Sequence, residues 1–263
     1  MKNNINNIEV GSNHCYESSY KYLSNYPFQY ILHNYFPIPK DSFVLNISSF
    51  DENIRDRSLQ HIEKAIDLCS ELGAGLYTFH PGFLTDPKGS NVSKDNYDFQ
   101  WDEAQLELSS FAKAVDLMYN SLDYVISYAK SRNVKIAIET EGSLKKDHLL
   151  MQKPEEYKVF MDRYSPNEVG INLNIGHLNL AKSAFNFKAN DFVDLIQNYI
   201  VAMEISHNNG LEDEHLPILE EGWYWSIIKD ERFSRCFKIL EFRNTSIEDI
   251  INNIKMIDNR FGV

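Results

Sequence analysis

The sequence predicts an α/β fold of the parallel (β/α)-barrel class, and three observations support this. Strand-like apolar runs alternate with helix-like segments, an order that calls for right-handed parallel crossovers. The chain has 263 residues, 43% of them hydrophobic, which suits one barrel domain spanning residues 1–263. Five of its eight histidines lie just past strand-like runs, and barrels carry their catalytic groups at the carboxyl ends of their strands.

Seven strands can be recognised, whereas a regular barrel has eight. The strand-like runs are residues 7–11, 28–33, 75–80, 134–139, 168–174, 200–206 and 236–241. Helices are expected at residues 58–73, 103–132, 154–164, 189–199 and 246–258. Gly73 can end the first of these helices and Ser246 can cap the start of the last. Since the connection between the first two strands has room for one helix only, the barrel is predicted to be incomplete or to hold a short eighth strand without a clear signal.

A polar stretch from Asp86 to Asp102 follows directly on the third strand. It opens with proline and glycine and lacks the periodicity of a helix or strand. Long loops above a barrel mouth often shape access to the site. We therefore expect this stretch to be such a loop.

The composition restricts the function classes. A formal net charge of −12 disfavours nucleic acid or an anionic membrane as a partner. Three scattered cysteines fit reduced thiols. The N-terminal residues do not resemble a signal peptide, and no apolar run approaches the roughly 20 residues that span a bilayer. We expect a cytoplasmic protein. Its oligomeric state is open, and a homo-oligomer is one option.

Imidazoles, carboxylates and one carboxamide recur at the ends of the strand-like runs and in the loop after the sixth. Any one of them alone could be an ordinary loop or buried residue, but their recurrence predicts a shared metal site. Asn174 and His177 are expected to flank a glycine turn, while Asp213 and His215 project to the same side of an extended segment. The candidate ligands are His33, His80, Glu139, Asn174, His177, His207, Asp213, His215 and Glu241.

Four further residues are distinguished by their surroundings. His14 follows the first strand and is a candidate for the substrate pocket, as is Trp223 in an aromatic cluster that otherwise indicates helix packing. His61 within a helix and His148 after a charged segment are interpreted as structural or surface residues.

Six segments of the chain, in their order and spacing, resemble those of a known family. They are ILHNYF…FVLNISS, SELGAGLYTFHPG, AIET, GINLNIGH, EISHNNG…DEHLPILEEG and DERFSRCFKILE. From about residue 28 to its end, the chain resembles the xylose-isomerase-like TIM barrels, a superfamily of sugar phosphate isomerases and epimerases that also includes endonuclease IV.

The resemblance implies two ligand sets. Endonuclease IV relatives hold three zinc ions with nine side chains, and the nine candidate ligands occupy the matching positions. Eight have the residue type of the family, and Asn174 replaces an aspartate, which makes it a weaker ligand. The related epimerases hold one ion with four side chains, which here are Glu139, Asn174, His207 and Glu241.

The expected function is therefore metal-dependent isomerisation or epimerisation of a small sugar or sugar phosphate, with Glu139 and Glu241 as the acid–base pair and as metal ligands. The alternative is a multi-zinc phosphoester hydrolase like endonuclease IV, for which DNA is a less favoured substrate than a small molecule. A non-catalytic sugar-binding barrel is a third alternative. Zinc is the expected cofactor, with manganese and magnesium as alternatives.

Overall fold

The computed structural model describes residues 5–12, 14–86, 89–92, 97–100, 110–144 and 148–261, of which 89–92 and 97–100 are described by their backbone alone. Within these ranges, all seven expected strands form, each within two residues of the predicted limits. They are β1 (Asn7–Val10), β2 (Gln29–His33), β3 (Tyr77–Phe79), β6 (Ile136–Glu139), β7 (Gly170–Asn174), β8 (Ile200–Ile205) and β9 (Phe237–Leu240).

The polar stretch after β3 differs in part from the expected loop. Its described residues include two short strands, β4 (Gly89–Val92) and β5 (Tyr97–Gln100), which form a separate two-stranded sheet. The remaining residues from 87 to 102 lie outside the described ranges. The effect of this stretch on substrate access stays a prediction.

The described helices are α1 (Glu52–Leu72), α2 (Phe111–Arg132), α3 (Pro154–Arg163), α4 (Ile175–Phe185), α5 (Ala189–Ile196), α6 (Trp225–Ile228) and α7 (Ile247–Phe261). Gly73 ends α1 in the left-handed conformation, and the Ser246 hydroxyl accepts the Asp249 N–H at the start of α7, as expected. Residues 103–109 of the second predicted helix lie outside the described ranges. No helix within those ranges is both long and apolar enough to cross a membrane.

The connection from β1 to β2 contains no α-helix among its described residues. It has one 3-10 turn, Lys21–Asn25. Serine, tyrosine and asparagine make this segment a poor helix former, and Pro27 prevents its extension. The short connection between the first two strands, noted in the sequence, therefore lacks an α-helix among its described residues.

The chain divides into two compact units. In the first, β1, β2, β3 and β6 pair in parallel in that order, and α1 packs against α2. One face of α1 buries Ile62, Ala65 and Ile66 completely. This unit places the ends of β2, β3 and β6 beside one another.

The second unit contains a parallel sheet in the order β7, β8, β9, with a register shift between Ile171 and Asn172. Helices α3 to α7 belong to this unit. Its core includes Tyr157, Phe160 and Tyr224, which have less than 2% of their surface exposed. That the whole chain forms one domain stays a prediction.

Candidate metal centres

Three candidate ligands meet at the carboxyl ends of β2, β3 and β6 in the first unit. His33 is the last residue of β2, Glu139 is the last of β6, and His80 directly follows β3. His33 Nε2 lies 3.7 Å from Glu139 Oε2, and His80 Nδ1 lies 3.5 Å from the same oxygen. We call these three residues the His33 triad; one ligand atom from each lies within 4.8 Å of the other two.

The orientation of the His33 ring is set by its neighbour on β3. Its Nδ1 is hydrogen-bonded to the Thr78 hydroxyl at 2.8 Å, which turns Nε2 toward Glu139. Such a contact to the far nitrogen commonly fixes the ring of a metal-binding histidine. The ring of His80 meets that of His33 edge-on, with 5.5 Å between the centroids.

The turn after β3 holds His80 in place through glycine. Gly82 has φ +118°, and a Cβ there would lie 2.5 Å from Ser48 Oγ and 2.8 Å from Asn46 Oδ1. The Asn46 side-chain oxygen accepts the Phe83 N–H at 2.9 Å. No side chain larger than hydrogen fits, so the close approach that ties this turn to residues 46–48 requires glycine.

The triad fits a transition-metal ion. Two imidazole nitrogens and one carboxylate oxygen are a common zinc donor set, and metal–ligand bonds of about 2.0–2.1 Å place tetrahedral donors roughly 3.4 Å apart. The observed 3.5 and 3.7 Å separations are close to this value. In addition, Glu139 is only 1% exposed, and a buried carboxylate needs a positive partner.

A second group of candidate ligands meets in the second unit. His177 lies in the first turn of α4, Asp213 and His215 lie in the loop after β8, and Glu241 directly follows β9. His215 Nε2 is 2.8 Å from Asp213 Oδ2, and its Nδ1 is 3.0 Å from Glu241 Oε2. His177 Nε2 is 3.7 Å from the same Asp213 oxygen. We call these four residues the Asp213 cluster.

Charge pairing dominates the Asp213 cluster. Burial alone would lower the pKa of His215, but Glu241 and Asp213 raise it to about 9. Burial alone would raise the pKa of Asp213, but His177 and His215 hold it well below its usual value. At neutral pH, His215 is therefore an imidazolium between two carboxylates.

Arginine adds a second cation to this cluster. Arg243 Nη1 donates to the Asp213 carbonyl at 3.1 Å, and its Nη2 donates to Asp213 Oδ2 at 3.3 Å. The sequence analysis did not select Arg243, although it lies two residues after Glu241. The Asp213 cluster contains donor types that suit zinc. However, the protonated His215 ring is already hydrogen-bonded to Asp213, and the Arg243 guanidinium contacts the same carboxylate.

Asn174 and His177 do not flank a glycine turn, contrary to the expectation. Asn174 caps α4, its Oδ1 accepting the His177 N–H at 3.1 Å, and Gly176 lies in the first helical turn. Helix α4 was missed because the glycine suggested a break, whereas asparagine is a favoured N-cap. The His177 ring turns inward, with Nδ1 hydrogen-bonded to the Thr140 carbonyl at 2.9 Å.

The amide nitrogen of Asn174 is also engaged. It donates to Glu204 Oε2 at 2.9 Å, and Asn172 Nδ2 donates to Glu204 Oε1 at 2.6 Å. All three side chains are at most 1% exposed. The sequence analysis missed Glu204 because it lies inside β8 rather than at its end.

His207 directly follows β8, and its backbone pairs with that of Leu216 in both directions at 2.8 Å. This pairing closes the loop that carries Asp213 and His215. The His207 ring lies 6.1 Å from the ring of Tyr224. Its Nδ1 is buried and has no hydrogen-bond partner among the described residues, so it is a nitrogen that a ligand could still occupy.

The two expected substrate residues lie in different settings. His14 is exposed, and its ring meets Phe36 edge-on at 5.4 Å. Trp223 is half-buried, with Lys182 Nζ 3.8 Å from its ring centroid. A tryptophan beside an ammonium suits a polar ligand, but the binding roles of both residues stay predictions.

The expected structural histidines are both buried. His61 is 5% exposed, and its Nε2 is hydrogen-bonded to the Asn34 carbonyl at 3.2 Å. Burial lowers its pKa to about 4. His148 is 8% exposed.

Glu141 is a further acidic residue that the sequence analysis passed over. Its Oε2 lies 3.8 Å from His177 Nδ1, and only 4% of its side chain is exposed. A usable signal existed, because residues two apart on an extended segment project to the same side. Glu139 and Glu141 have this spacing.

A model of the xylose isomerase-like TIM barrel family matches residues 17–259 of the chain. With the parallel strands and intervening helices, this match confirms the predicted fold class. Among curated proteins, the chain is 26% identical to the uncharacterized protein MJ1614 of Methanocaldococcus jannaschii over 265 residues, covering 98% of this chain and 90% of the relative.

Solved structures with the same fold include three with informative names. A D-tagatose 3-epimerase-like protein superposes with a TM-score of 0.73 at 21% identity, covering 99% of this chain and 90% of the other. A D-psicose 3-epimerase crystallised with D-fructose gives 0.66 at 11% identity, covering 100% and 91%. The TTHB071 protein of Thermus thermophilus, soaked with zinc chloride, gives 0.62 at 15% identity, covering 95% and 88%.

Proposed function

Because this chain belongs to the xylose isomerase-like TIM barrel family, we propose that it is a metal-dependent isomerase or epimerase of a small sugar or sugar phosphate. The observation that carries the metal dependence is the His33 triad, in which two imidazoles surround one buried carboxylate oxygen. Zinc is the proposed ion, with manganese and magnesium as the alternatives.

The names of the similar structures support the substrate class. Two of them are a D-tagatose 3-epimerase-like protein and a D-psicose 3-epimerase. Such low identities indicate a shared fold rather than a shared reaction, so the sugar substrate is part of the proposal. The net charge of −12 agrees with a small-molecule substrate better than with nucleic acid.

In this proposal, Glu139 and Glu241 move protons. A bound divalent cation would polarise a substrate carbonyl and so acidify the C–H beside it. Glu139 Oε2 lies near His33 Nε2 and His80 Nδ1, while Glu241 Oε2 lies 3.0 Å from His215 Nδ1. One carboxylate would remove the proton from carbon and the other would return a proton, which is ordinary general acid–base work.

His207 and Asn174 complete the proposed single-ion ligand set. His207 has a buried Nδ1 without a hydrogen-bond partner among the described residues. The Asn174 Oδ1 accepts the His177 N–H, and a carboxamide oxygen has two lone pairs in all. Their proposed role is to hold the ion together with the two glutamates.

A second candidate function is hydrolysis of a phosphoester by a site with several zinc ions. Residues outside the single-ion set favour it, because a one-ion isomerase has no need of His33, His80, Asp213 and His215 as ligands. His177, Asp213 and His215 also offer ligand atoms within 4.8 Å of one another. A small phosphoester is preferred to DNA as the substrate.

The test combines metal content with a proton-exchange assay. Protein purified without added metal is analysed by elemental mass spectrometry, then incubated with a panel of ketoses and ketose phosphates in D₂O. An isomerase or epimerase should hold about one ion per chain and incorporate deuterium at carbon. Two or three zinc ions with release of phosphate from phosphoesters would favour the hydrolase instead.

A variant and its control test the role of Glu139. Glu139→Gln should abolish deuterium incorporation in the metal-loaded enzyme, whereas Glu156→Gln, in a half-buried carboxylate that caps the start of α3, should retain it. A protein that binds sugars but exchanges no protons with any metal would be a sugar-binding barrel, and the proposal would be wrong.

A further inference from the structure

Asn174, which stands where the resemblance implies an aspartate, has a carboxylate as its neighbour on the next strand. Asn174 and Glu204 are register partners on the parallel strands β7 and β8. Their side chains meet, with Asn174 Nδ2 donating to Glu204 Oε2 at 2.9 Å. An amide and a carboxylate therefore face each other at this position.

The contact fixes the orientation of the Asn174 carboxamide, which places Nδ2 and Oδ1 on opposite sides. Both Glu204 oxygens accept an amide N–H, Oε1 from Asn172 and Oε2 from Asn174. Glu204 therefore binds the Nδ2 end of the Asn174 carboxamide. The Oδ1 end then points to the start of α4, where it accepts the His177 N–H at 3.1 Å.

Burial gives this pairing weight. Asn172 and Asn174 have no exposed surface, and Glu204 is 1% exposed. A carboxylate so deep in the protein is tolerated only with close polar partners. Replacing Asn174 by aspartate would bring two buried carboxylates within hydrogen-bond distance of each other.

We infer that Glu204 is a positioning residue, which orients the Asn174 carboxamide as an oxygen ligand by accepting its Nδ2 N–H. The inference rests on the proposed function, because it takes Asn174 as a ligand. It follows that the carboxylate and the amide are exchangeable as a pair but not singly. A glutamine at 204 could accept from Asn172 and donate to an aspartate at 174, which keeps both hydrogen bonds of position 204.

The test is a double-mutant cycle on chelator-treated protein, followed by urea denaturation. Asn174→Asp should reduce the folding equilibrium constant by about 100-fold through the unpaired buried charge. Glu204→Gln should reduce it by about tenfold, since one amide N–H then faces another. The double variant should return to within about tenfold of the unchanged protein, instead of showing the product of the two losses.

A metal titration distinguishes positioning from simple packing. Binding of Co²⁺ is followed by its visible absorption bands in the unchanged protein, the two single variants and the double variant. Glu156→Gln, at a half-buried glutamate outside the candidate metal centres, is the control. Glu204→Gln should weaken Co²⁺ binding about tenfold, as the loss of a group that orients a ligand typically does. The double variant should bind at least as tightly as the unchanged protein, because it places a carboxylate at position 174.

The outcomes separate the inference from the proposed function. Strictly additive stability losses would overturn the pairing, and Co²⁺ binding that Glu204→Gln leaves unchanged would overturn the positioning role. If the unchanged protein bound no Co²⁺ at all, the proposed function would fail and the positioning role with it. The stability cycle would still decide whether the two side chains are a matched pair.

Discussion

The His33 triad and the Asp213 cluster use the same kinds of side chain but reach different states. In the triad, two imidazoles approach a buried carboxylate oxygen at 3.5 and 3.7 Å. In the Asp213 cluster, an imidazolium is hydrogen-bonded to a carboxylate at 2.8 Å, and Arg243 supports the same carboxylate. The first spacing leaves room for an ion between the donors, and the second does not.

The difference shows that residue type alone does not define a metal site. His215 would have to lose its proton before it could bind a cation, and its carboxylate partners raise its pKa to about 9. Metal affinity at such a site is reduced by proton competition. We therefore expect the His33 triad to fill first and the Asp213 cluster to fill only at higher pH or higher metal concentration.

The largest expected effect comes from removing the carboxylate of the triad. Glu139→Gln should lower the turnover of the metal-loaded enzyme by about 10²–10⁴-fold, the usual contribution of an acid–base group. Steady-state kinetics on the substrate found in the D₂O screen measures this. A loss smaller than tenfold would mean that Glu139 carries no essential proton transfer.

A second substitution tests the ion pairing within the Asp213 cluster. Asp213→Asn should lower the free energy of unfolding of the metal-free protein by about 3 kcal/mol, because it leaves His215 and Arg243 without their shared partner. Glu139→Gln should leave the stability of the metal-free protein unchanged or increased, since it removes a buried charge. Equal destabilisation in urea unfolding of the two variants would contradict the contrast between the regions.

The third prediction concerns the support of His33. Thr78→Val removes the hydroxyl that contacts Nδ1 and should weaken zinc binding about 10–100-fold. Thr85→Val is the matched control, because the Thr85 hydroxyl is buried without a hydrogen-bond partner among the described residues. Competition with a chromogenic chelator measures both affinities, and the prediction fails if the two variants bind equally.

The smallest expected effect is a pH dependence of the free energy of unfolding that arises from His61. His61 has a pKa of about 4 in the folded protein because it is buried, against about 6.5 when unfolded. The unfolded chain therefore binds more protons between these values, and stability falls as pH is lowered. From pH 7 to pH 5 the loss should be about 1–2 kcal/mol.

His61→Gln isolates this contribution, because an amide can still donate to the Asn34 carbonyl but does not titrate. The variant should show a flatter dependence of unfolding free energy on pH between 7 and 5. If both proteins lost stability equally over that range, His61 would not be the source.

The sequence predicted the strands well because buried parallel strands are continuous apolar runs, which are local signals. It also predicted the residues of the triad, since each one ends such a run. It missed helix α4 because Gly176 outweighed the cap formed by Asn174. Glu204 and Arg243 were missed for a different reason: their partners are distant in sequence and become visible only through strand register and loop closure.

The measurement that tests the central claim most directly is a calorimetric titration of zinc into chelator-treated protein at pH 7. It compares the unchanged chain with Glu139→Gln and Asp213→Asn. We predict a tightest site that Glu139→Gln removes or weakens at least about 100-fold, and that Asp213→Asn leaves largely intact. A tightest site that survives Glu139→Gln but is lost in Asp213→Asn would contradict the account. The ion would then bind first at the Asp213 cluster, whose ligands are already paired with each other.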